Sequence, residues 1–299
     1  MGIVLGTSTS GIGSSEHAWK AKQIDNKFPE KFNYAQQDIA SCSTFLAQYA
    51  DIQGVCYTIS TACSSSGKAI AAADRLIKSG LCDAVITGGS DSLCELTLNG
   101  FDSLELVSAK ICQPFSENRS GLNIGEGAAL FILSKDPSEI KLSGIGESSD
   151  GYHISAPDPD GNGGKIAINQ ALKSANLQPQ DIGYINLHGT ATRKNDEVES
   201  KMVHDVFGDE TYCSSTKPLI GHTLGAAGAH ELAFCWLLLS AEYNPECRLP
   251  AHVWDKKYDS KLPKIGLMET EKKWQKRNFM SNSFAFGGSN ISLIISRCD

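Results

Sequence analysis

Short runs of β-prone apolar residues alternate along the chain with longer segments whose apolar residues recur at helical spacing. The clearest helix is predicted over residues 65–79, because Ala69, Ala73 and Leu76 share one face of a 3.6-residue period and Gly80 follows where a helix commonly ends. Further helices are predicted over residues 165–175, 198–207 and 225–241. Strands are predicted over residues 3–5, 55–60, 84–87, 128–133, 140–146, 182–187 and 290–296. This alternation predicts an α/β fold in which helices cover a parallel or mixed sheet.

The pattern also predicts two related halves. A junction near Lys135 and Pro137 divides the chain into residues 1–135 and 136–299. Residues 60–79 and 215–241 follow the same plan, a strand end, a polar turn, small residues and then an apolar helix. Such a repeat is typical of two βα halves that face each other, although two unrelated βα units would also produce it by chance.

Composition narrows the possible functions. The 299 residues allow one large domain or two of ordinary size, and the formal net charge of −7 argues against nucleic-acid binding. The ten cysteines include no C-x-x-C pair, so we expect no metal site and mostly buried thiols in a reducing compartment. The most apolar window, residues 232–239, is far shorter than the roughly 20 residues of a membrane span, and no signal peptide is visible. We therefore expect a cytoplasmic protein without a membrane span.

A candidate nucleophile, Cys63, lies at a predicted turn between a strand and a helix. Its neighbours are small, from Ser60 to Gly67, and leave space for a substrate carbonyl. A helix N-terminus favours negative charge and therefore the reactive thiolate. The alternative is a buried structural cysteine.

Two histidines and a glycine-containing loop extend this candidate site. His188 ends an apolar strand before Gly189, and His222 precedes a run of small residues that begins at Gly225. A lone histidine is more often structural, but two in similar turns, with a similarly placed cysteine, favour a catalytic site. The loop over residues 282–290 has two glycines after two phenylalanines, and its backbone N–H groups could line an oxyanion hole. A simple hairpin turn is the alternative for this loop.

These four segments together resemble the β-ketoacyl-[acyl-carrier-protein] synthases of the elongating type, which belong to the thiolase superfamily. The motifs are Thr61 to Ser65, His188 to Thr192, Lys217 to Gly228 and Phe284 to Gly288, and they occur in the order found in that family. The resemblance covers essentially the whole chain. It implies a thiolase-like fold, with two related βα halves whose mixed sheets are layered between helices in an αβαβα arrangement.

The resemblance also implies a decarboxylative Claisen condensation. Cys63 would take an acyl group as a thioester, and His188 and His222 would support loss of carbon dioxide from malonyl carrier protein and stabilise the enolate. Lys217 would bias the protonation of the histidines, and Glu199 would organise the same network. Histidines at both later positions point away from the initiating synthases and from the thiolases.

Substrate contacts are implied as well. The backbone N–H groups of Cys63 and Phe286 would form the oxyanion hole, and the Phe286 ring would gate the acyl pocket. The substrate-binding residues implied by the resemblance are Thr190, Thr192, Phe284 and Gly287. Acyl and malonyl groups would arrive on the phosphopantetheine of acyl carrier protein, so no separate cofactor is expected. A homodimer is expected, with a heterodimer as the alternative.

Three departures from the family pattern stand out. Ala285 replaces the glycine usual between the two phenylalanines, and Ser116 and Ser120 replace two common acids. Family members also carry a strand–helix block before the strand at Gly2, and without it a sheet edge is expected to be exposed. Either a partner chain covers that edge or the sequence is one fragment of a longer protein.

Two other functions remain open. One is a non-elongating partner that sets chain length in a heterodimer, which the presence of Cys63 and both histidines argues against. The other is an enzyme that only decarboxylates or hydrolyses thioesters with the same residues. Saturated, unsaturated, polyene and polyketide acyl groups all fit the sequence.

Overall fold

A computed structural model describes residues 1–298 of the chain and contains two main sheets. The first has the order β2-β1-β3-β4, in which β1 is parallel to β2 and β3, and β4 is antiparallel to β3. Its strands are β1 (Gly2–Gly6), β2 (Cys56–Ile59), β3 (Ala84–Asp91) and β4 (Gly127–Ser134).

The second sheet has five strands in the order β5-β11-β10-β6-β7. Strand β6 is parallel to β7 and β10, while β11 is antiparallel to β10 and β5. The strands are β5 (Ile140–Ser149), β6 (Ile182–Asn186), β7 (Cys213–Ser214), β10 (Asn278–Ala285) and β11 (Ser289–Arg297). A separate two-stranded ribbon consists of β8 (Arg248–Leu249) and β9 (Lys272–Lys273).

Eight α-helices surround and separate the sheets in residues 1–298. They are α1 (Ile12–Asp25), α2 (Ser41–Tyr49), α3 (Ser65–Lys78), α4 (Glu95–Ser103), α5 (Asn162–Ala175), α6 (Arg193–Phe207), α7 (Lys217–Ile220) and α8 (Ala227–Leu239). Helices α3 and α8 pack against each other between the two sheets. Helix α2 packs against the first sheet, and α5 packs against the second. The expected αβαβα, thiolase-like arrangement is thereby confirmed.

The two sheets repeat one topology. In each sheet, an edge strand (β2 or β7) is followed by a turn and then by a helix of the central layer (α3 or α8). The three strands beside that edge strand run in the same relative directions in both sheets. The sheets differ at the other edge, where β11 pairs with β5 but β4 pairs with no further strand in the described part of the chain. Along β4, Leu130 and Ile132 are exposed.

Small residues let the central helices begin close together. A Cβ atom on Gly228 would lie 3.0 Å from Ser283 Oγ and 3.3 Å from Gly67 N, so only glycine fits without a shift. The amide of Ala229 also donates a hydrogen bond of 2.9 Å to Ser66 Oγ. This close approach brings the start of α3, which follows Cys63, next to the start of α8.

Several predicted boundaries were wrong. The helix expected over residues 225–241 is a 3-10 turn, Leu224–Ala226, followed by α8. Helix α5 begins three residues before its predicted start, and α6 begins five residues before its predicted start. Residues 282–285 belong to β10 rather than to a loop, and only Phe286–Gly288 form the turn. Within residues 1–298, no helix has the length and apolar character that crossing a membrane requires.

Candidate active site

Three predicted residues meet between the two halves. Cys63 lies between β2 and α3, His188 follows β6, and His222 follows α7. The Nε2 atom of His222 is 3.0 Å from Cys63 Sγ, and the ring centroids of His188 and His222 are 5.4 Å apart. All three side chains are buried. The fold therefore brings a thiol and two imidazoles together from distant parts of the sequence.

Burial controls the protonation of these groups. Desolvation raises the pKa of Cys63 from 9.0 to about 11, although Lys217 and a hydrogen bond from the backbone of Phe286 act in the opposite direction. The expectation that the helix start would hold a thiolate is therefore not met in this closed site. Burial and the nearby Lys217 charge lower the pKa of both His188 and His222 well below the usual value. At neutral pH the site thus holds a thiol beside two neutral imidazoles.

Lys217 lies at the centre of a buried polar network. Its Nζ donates to a Glu231 carboxylate oxygen and to the His188 carbonyl, and it lies 3.4 Å from His188 Nδ1. Burial raises the pKa of Glu231 to about 7. Lys217 therefore contacts His188 directly, and its positive charge lowers the pKa of His222.

Glu199 acts on the backbone of the histidine turn. Its carboxylate oxygens accept hydrogen bonds of 2.7 Å from the N–H groups of His188 and Gly189. Burial raises the pKa of Glu199 to about 7, against the lowering effect of these hydrogen bonds. Asn195 donates to the same carboxylate. Glu199 thus fixes the position of His188 through the main chain.

The turn after β10 closes over the thiol. Phe286 directs its backbone N–H at Cys63 Sγ, and its ring stacks on Phe101 with centroids 5.4 Å apart. Gly287 has φ +80°, which favours glycine, and its N–H donates to the Ile154 carbonyl at 2.7 Å. Ala285 keeps an extended conformation with φ −101°, so its β-carbon causes no strain.

A cavity of about 710 Å³ leads to Cys63. Thr190, Thr192 and Phe284, which are predicted to bind substrate, line this cavity, and the two threonine hydroxyls are 2.9 Å apart. Gly287 is absent from the lining and instead shapes the turn beside it. The cavity also has cationic lining from Arg193 and Lys194, which are exposed at the start of α6. Its lining therefore combines apolar side chains, hydroxyl groups and exposed cations, and Glu105 and Asp150 contribute carboxylates.

Sequence reasoning missed several residues of this site. Glu231 is the one acidic residue in α8, a helix that is otherwise apolar except for His230, and this contrast was the available signal. Phe101 had no motif around it, and the two cations at the start of α6 lie just beyond the motif that ends at Thr192. The two unusual serines form local contacts, because Ser116 donates to Asp255 at 2.8 Å and Ser120 lies 2.9 Å from Ser108 Oγ.

Comparison with known proteins agrees with this geometry. The family model "Beta-ketoacyl synthase, N-terminal domain" matches residues 1–138, and "Beta-ketoacyl synthase, C-terminal domain" matches residues 140–248. Nodulation protein E of Rhizobium meliloti is 30% identical over 304 residues, covering 98% of this chain and 74% of that protein. The 3-oxoacyl-[acyl-carrier-protein] synthase 2 of Rhizobium meliloti (strain 1021) is 36% identical over 266 residues, covering 82% of this chain and 62% of that protein.

Several solved structures are also similar to this chain in their three-dimensional fold. The structure described as a ketosynthase (ApeO) in complex with its chain length factor (ApeC) from Xenorhabdus doucetiae has a TM-score of 0.95 and 46% identity, covering 99% of this chain and 74% of that one. A β-ketoacyl synthase from Burkholderia phymatum has a TM-score of 0.90 and 27% identity, covering 100% of this chain and 76% of that one. The chain therefore belongs to the β-ketoacyl synthase family of the thiolase superfamily, whose ketosynthase domains are acyltransferases.

Proposed function

We propose that this chain joins an acyl thioester to a malonyl thioester by decarboxylative Claisen condensation, with both groups carried on the phosphopantetheine of acyl carrier protein. The observation that carries the proposal is the 3.0 Å contact between Cys63 Sγ and His222 Nε2, with His188 beside it at the end of a large cavity. A nucleophile and two neutral N–H donors are what the two half-reactions need.

In the first half-reaction, Cys63 Sγ attacks the carbonyl carbon of the acyl thioester. The backbone N–H groups of Cys63 and Phe286 hold the oxygen on which negative charge develops. The thiol proton passes to the departing pantetheine sulfur. The products are an acyl thioester on Cys63 and a carrier protein with a free thiol.

In the second half-reaction, the malonyl group loses carbon dioxide and its electron pair stays on the α-carbon. His188 and His222 donate to the enolate oxygen, which suits neutral imidazoles. The α-carbon then attacks the acyl carbonyl, the bond to Cys63 sulfur breaks, and the sulfur takes up a proton from water. A β-ketoacyl group remains on the carrier protein.

The surrounding residues receive supporting roles in this proposal. Lys217 keeps the histidines neutral and oriented, and Glu199 holds the His188 backbone. Thr190 and Thr192 contact the amide groups of the phosphopantetheine arm, and Phe284 packs along it. Arg193 and Lys194 supply positive charge for its phosphate. Phe286 and Gly287 act as the gate between this arm and the acyl group, and no dissociable cofactor is needed.

A second candidate is that the chain works beside a chain length factor subunit. The structure with 46% identity is named as a ketosynthase bound to such a factor, which favours a heterodimer. Because Cys63 and both histidines are present, the chain would be the catalytic subunit. Exposed apolar side chains on α2 and β2, namely Phe45, Tyr49 and Tyr57, offer a surface for either a second copy or this partner.

Two further assignments belong to the proposal. We infer a cytoplasmic location because all ten cysteines are free thiols, as a reducing compartment favours. We also assign the nucleophile to a first domain, residues 1–135, and both histidines to a second, residues 136–299.

Mass spectrometry tests the proposal directly. The protein is incubated with carrier proteins that bear acyl groups of different lengths, and the expected result is one acyl group on Cys63. Cys63→Ala should lose this adduct, while Cys112→Ala, a buried cysteine outside the cavity lining, should keep it. Malonyl carrier protein should then convert the adduct into β-ketoacyl carrier protein.

The alternatives give different products. Absence of any adduct on Cys63 would overturn the condensation proposal. Release of carbon dioxide without a new carbon–carbon bond would assign the chain as a decarboxylase. Condensation that appears only after a chain length factor subunit is added would establish the heterodimer.

A further inference from the structure

The reactive side chains also form a ligand set of the kind that holds zinc. Cys63 Sγ and one ring nitrogen from each of His188 and His222 lie within 4.8 Å of one another, and all three side chains are buried. Tetrahedral zinc with thiolate and imidazole ligands keeps its ligand atoms about 3.5 Å apart. Small side-chain movements would therefore complete three corners of a zinc site, and the cavity would leave the fourth open to water.

Lys217 opposes metal binding through the tautomer of His188. Its ammonium group has no lone pair and can only donate, so a contact of 3.4 Å with His188 Nδ1 requires a lone pair on Nδ1. The ring proton then resides on Nε2, so neither ring nitrogen of His188 has a lone pair free for a metal. A metal on Nε2 would move that proton to Nδ1 and direct it at the ammonium group.

Lys217 also opposes metal binding through its charge. Its side chain is 1% exposed, and a divalent cation bound to Cys63 and His188 would share this poorly solvated space with the ammonium group. Glu231 holds the ammonium there, because its carboxylate accepts from Nζ. Without Lys217, no buried ammonium group would oppose the metal, and the Cys63 thiolate would offset part of its charge.

We propose that Lys217 keeps Cys63, His188 and His222 free of zinc and thereby preserves them for acid–base and thiol chemistry. In the absence of Lys217, the Cys63 thiol transfers its proton to solvent, the sulfur forms a bond to the metal, and the two imidazoles supply nitrogen ligands. The proposal concerns binding alone, so it stands or falls separately from the condensation reaction.

Cobalt(II), which binds zinc sites and absorbs light when bound to a thiolate, is the probe. The native protein and Lys217→Met are titrated with Co²⁺ without oxygen, and the near-ultraviolet cobalt–thiolate charge-transfer band is recorded. Removal of one buried positive charge is expected to tighten binding by at least about 100-fold. Zinc should then displace the cobalt and abolish the band.

Matched variants separate this role from a structural one. Glu231→Gln keeps the ammonium group and should bind cobalt as weakly as the native protein. Lys217→Met with Glu231→Gln avoids an unpaired buried carboxylate and should still bind more tightly than the native protein. Lys217→Met with Cys63→Ser should lose the charge-transfer band.

Three outcomes would overturn the proposal. The first is equal cobalt affinity in the native protein and in Lys217→Met. The second is the absence of a charge-transfer band in both Lys217 variants when circular dichroism shows that they are folded. The third is a band that persists after Cys63→Ser, which would place the metal elsewhere.

Discussion

The reactivity of Cys63 depends more on burial than on its position before a helix. Its pKa of about 11 keeps the thiol protonated at neutral pH, in contrast to a preformed thiolate–imidazolium pair. We expect iodoacetamide to label Cys63 about tenfold faster for each unit of pH between about pH 7 and pH 9, because the thiolate fraction grows tenfold per unit below the pKa. Both histidines stay neutral over this range because their pKa values are lowered.

Peptide mass spectrometry after timed labelling measures this rate at Cys63. Cys63→Ala supplies the background from the other nine cysteines. A rate that is already level at pH 7 would contradict the raised pKa and would indicate an ion pair with His222.

The site residues that could be predicted from the sequence lie in recognisable motifs. Cys63, His188, His222 and Lys217 sit in short, recognisable segments, and the structure brings their side chains together. Glu231 was not predicted because helix α8 is apolar on nearly every side. Its contact with Lys217 is visible only in the three-dimensional structure.

Helices and strands could be predicted where the buried apolar residues recur at a regular spacing along the chain. Helix α3 matched its prediction closely because one face is packed between the sheets. Strand β10 was missed because Ser281, Asn282 and Ser283 are buried in it, and their polarity resembles that of a loop. Asn282 Oδ1 accepts from Ser292 Oγ on the neighbouring strand at 2.7 Å, a contact that no local pattern reveals.

Strand β4 is an edge strand that exposes large apolar side chains to solvent. Ile132 is 70% exposed on this edge strand. Unpaired strand edges invite association, and a lysine there discourages it. Ile132→Lys should therefore reduce self-association at high concentration, measured by static light scattering, while changing the free energy of unfolding by less than about 0.5 kcal/mol.

Ile24→Lys is the matched control, because Ile24 is 83% exposed on helix α1 and away from any strand. It removes the same apolar group and adds the same charge. An equal reduction in light scattering by both variants would show that net charge, rather than the β4 edge, controls association.

The whole molecule depends on contacts that hold the two halves in register around the site. Asp91, at the end of β3, accepts hydrogen bonds from five donors: Thr7 Oγ1, Ser8 N, Thr9 N, Thr9 Oγ1 and Ala226 N. The last donor belongs to the second half and lies just before α8. One buried carboxylate therefore ties the loop after β1 to the segment that carries His222.

Asp91→Ala would leave these donors without their acceptor. Each unsatisfied buried donor costs about 1–3 kcal/mol, so the free energy of unfolding should fall by at least about 3 kcal/mol in urea denaturation. Asp91→Asn keeps one carbonyl oxygen and should lose less. Asp74→Ala, which removes a surface pair with Lys78, should cost less than about 1 kcal/mol. A loss for Asp91→Ala as small as that for Asp74→Ala would show that the halves are held together by packing between α3 and α8 instead.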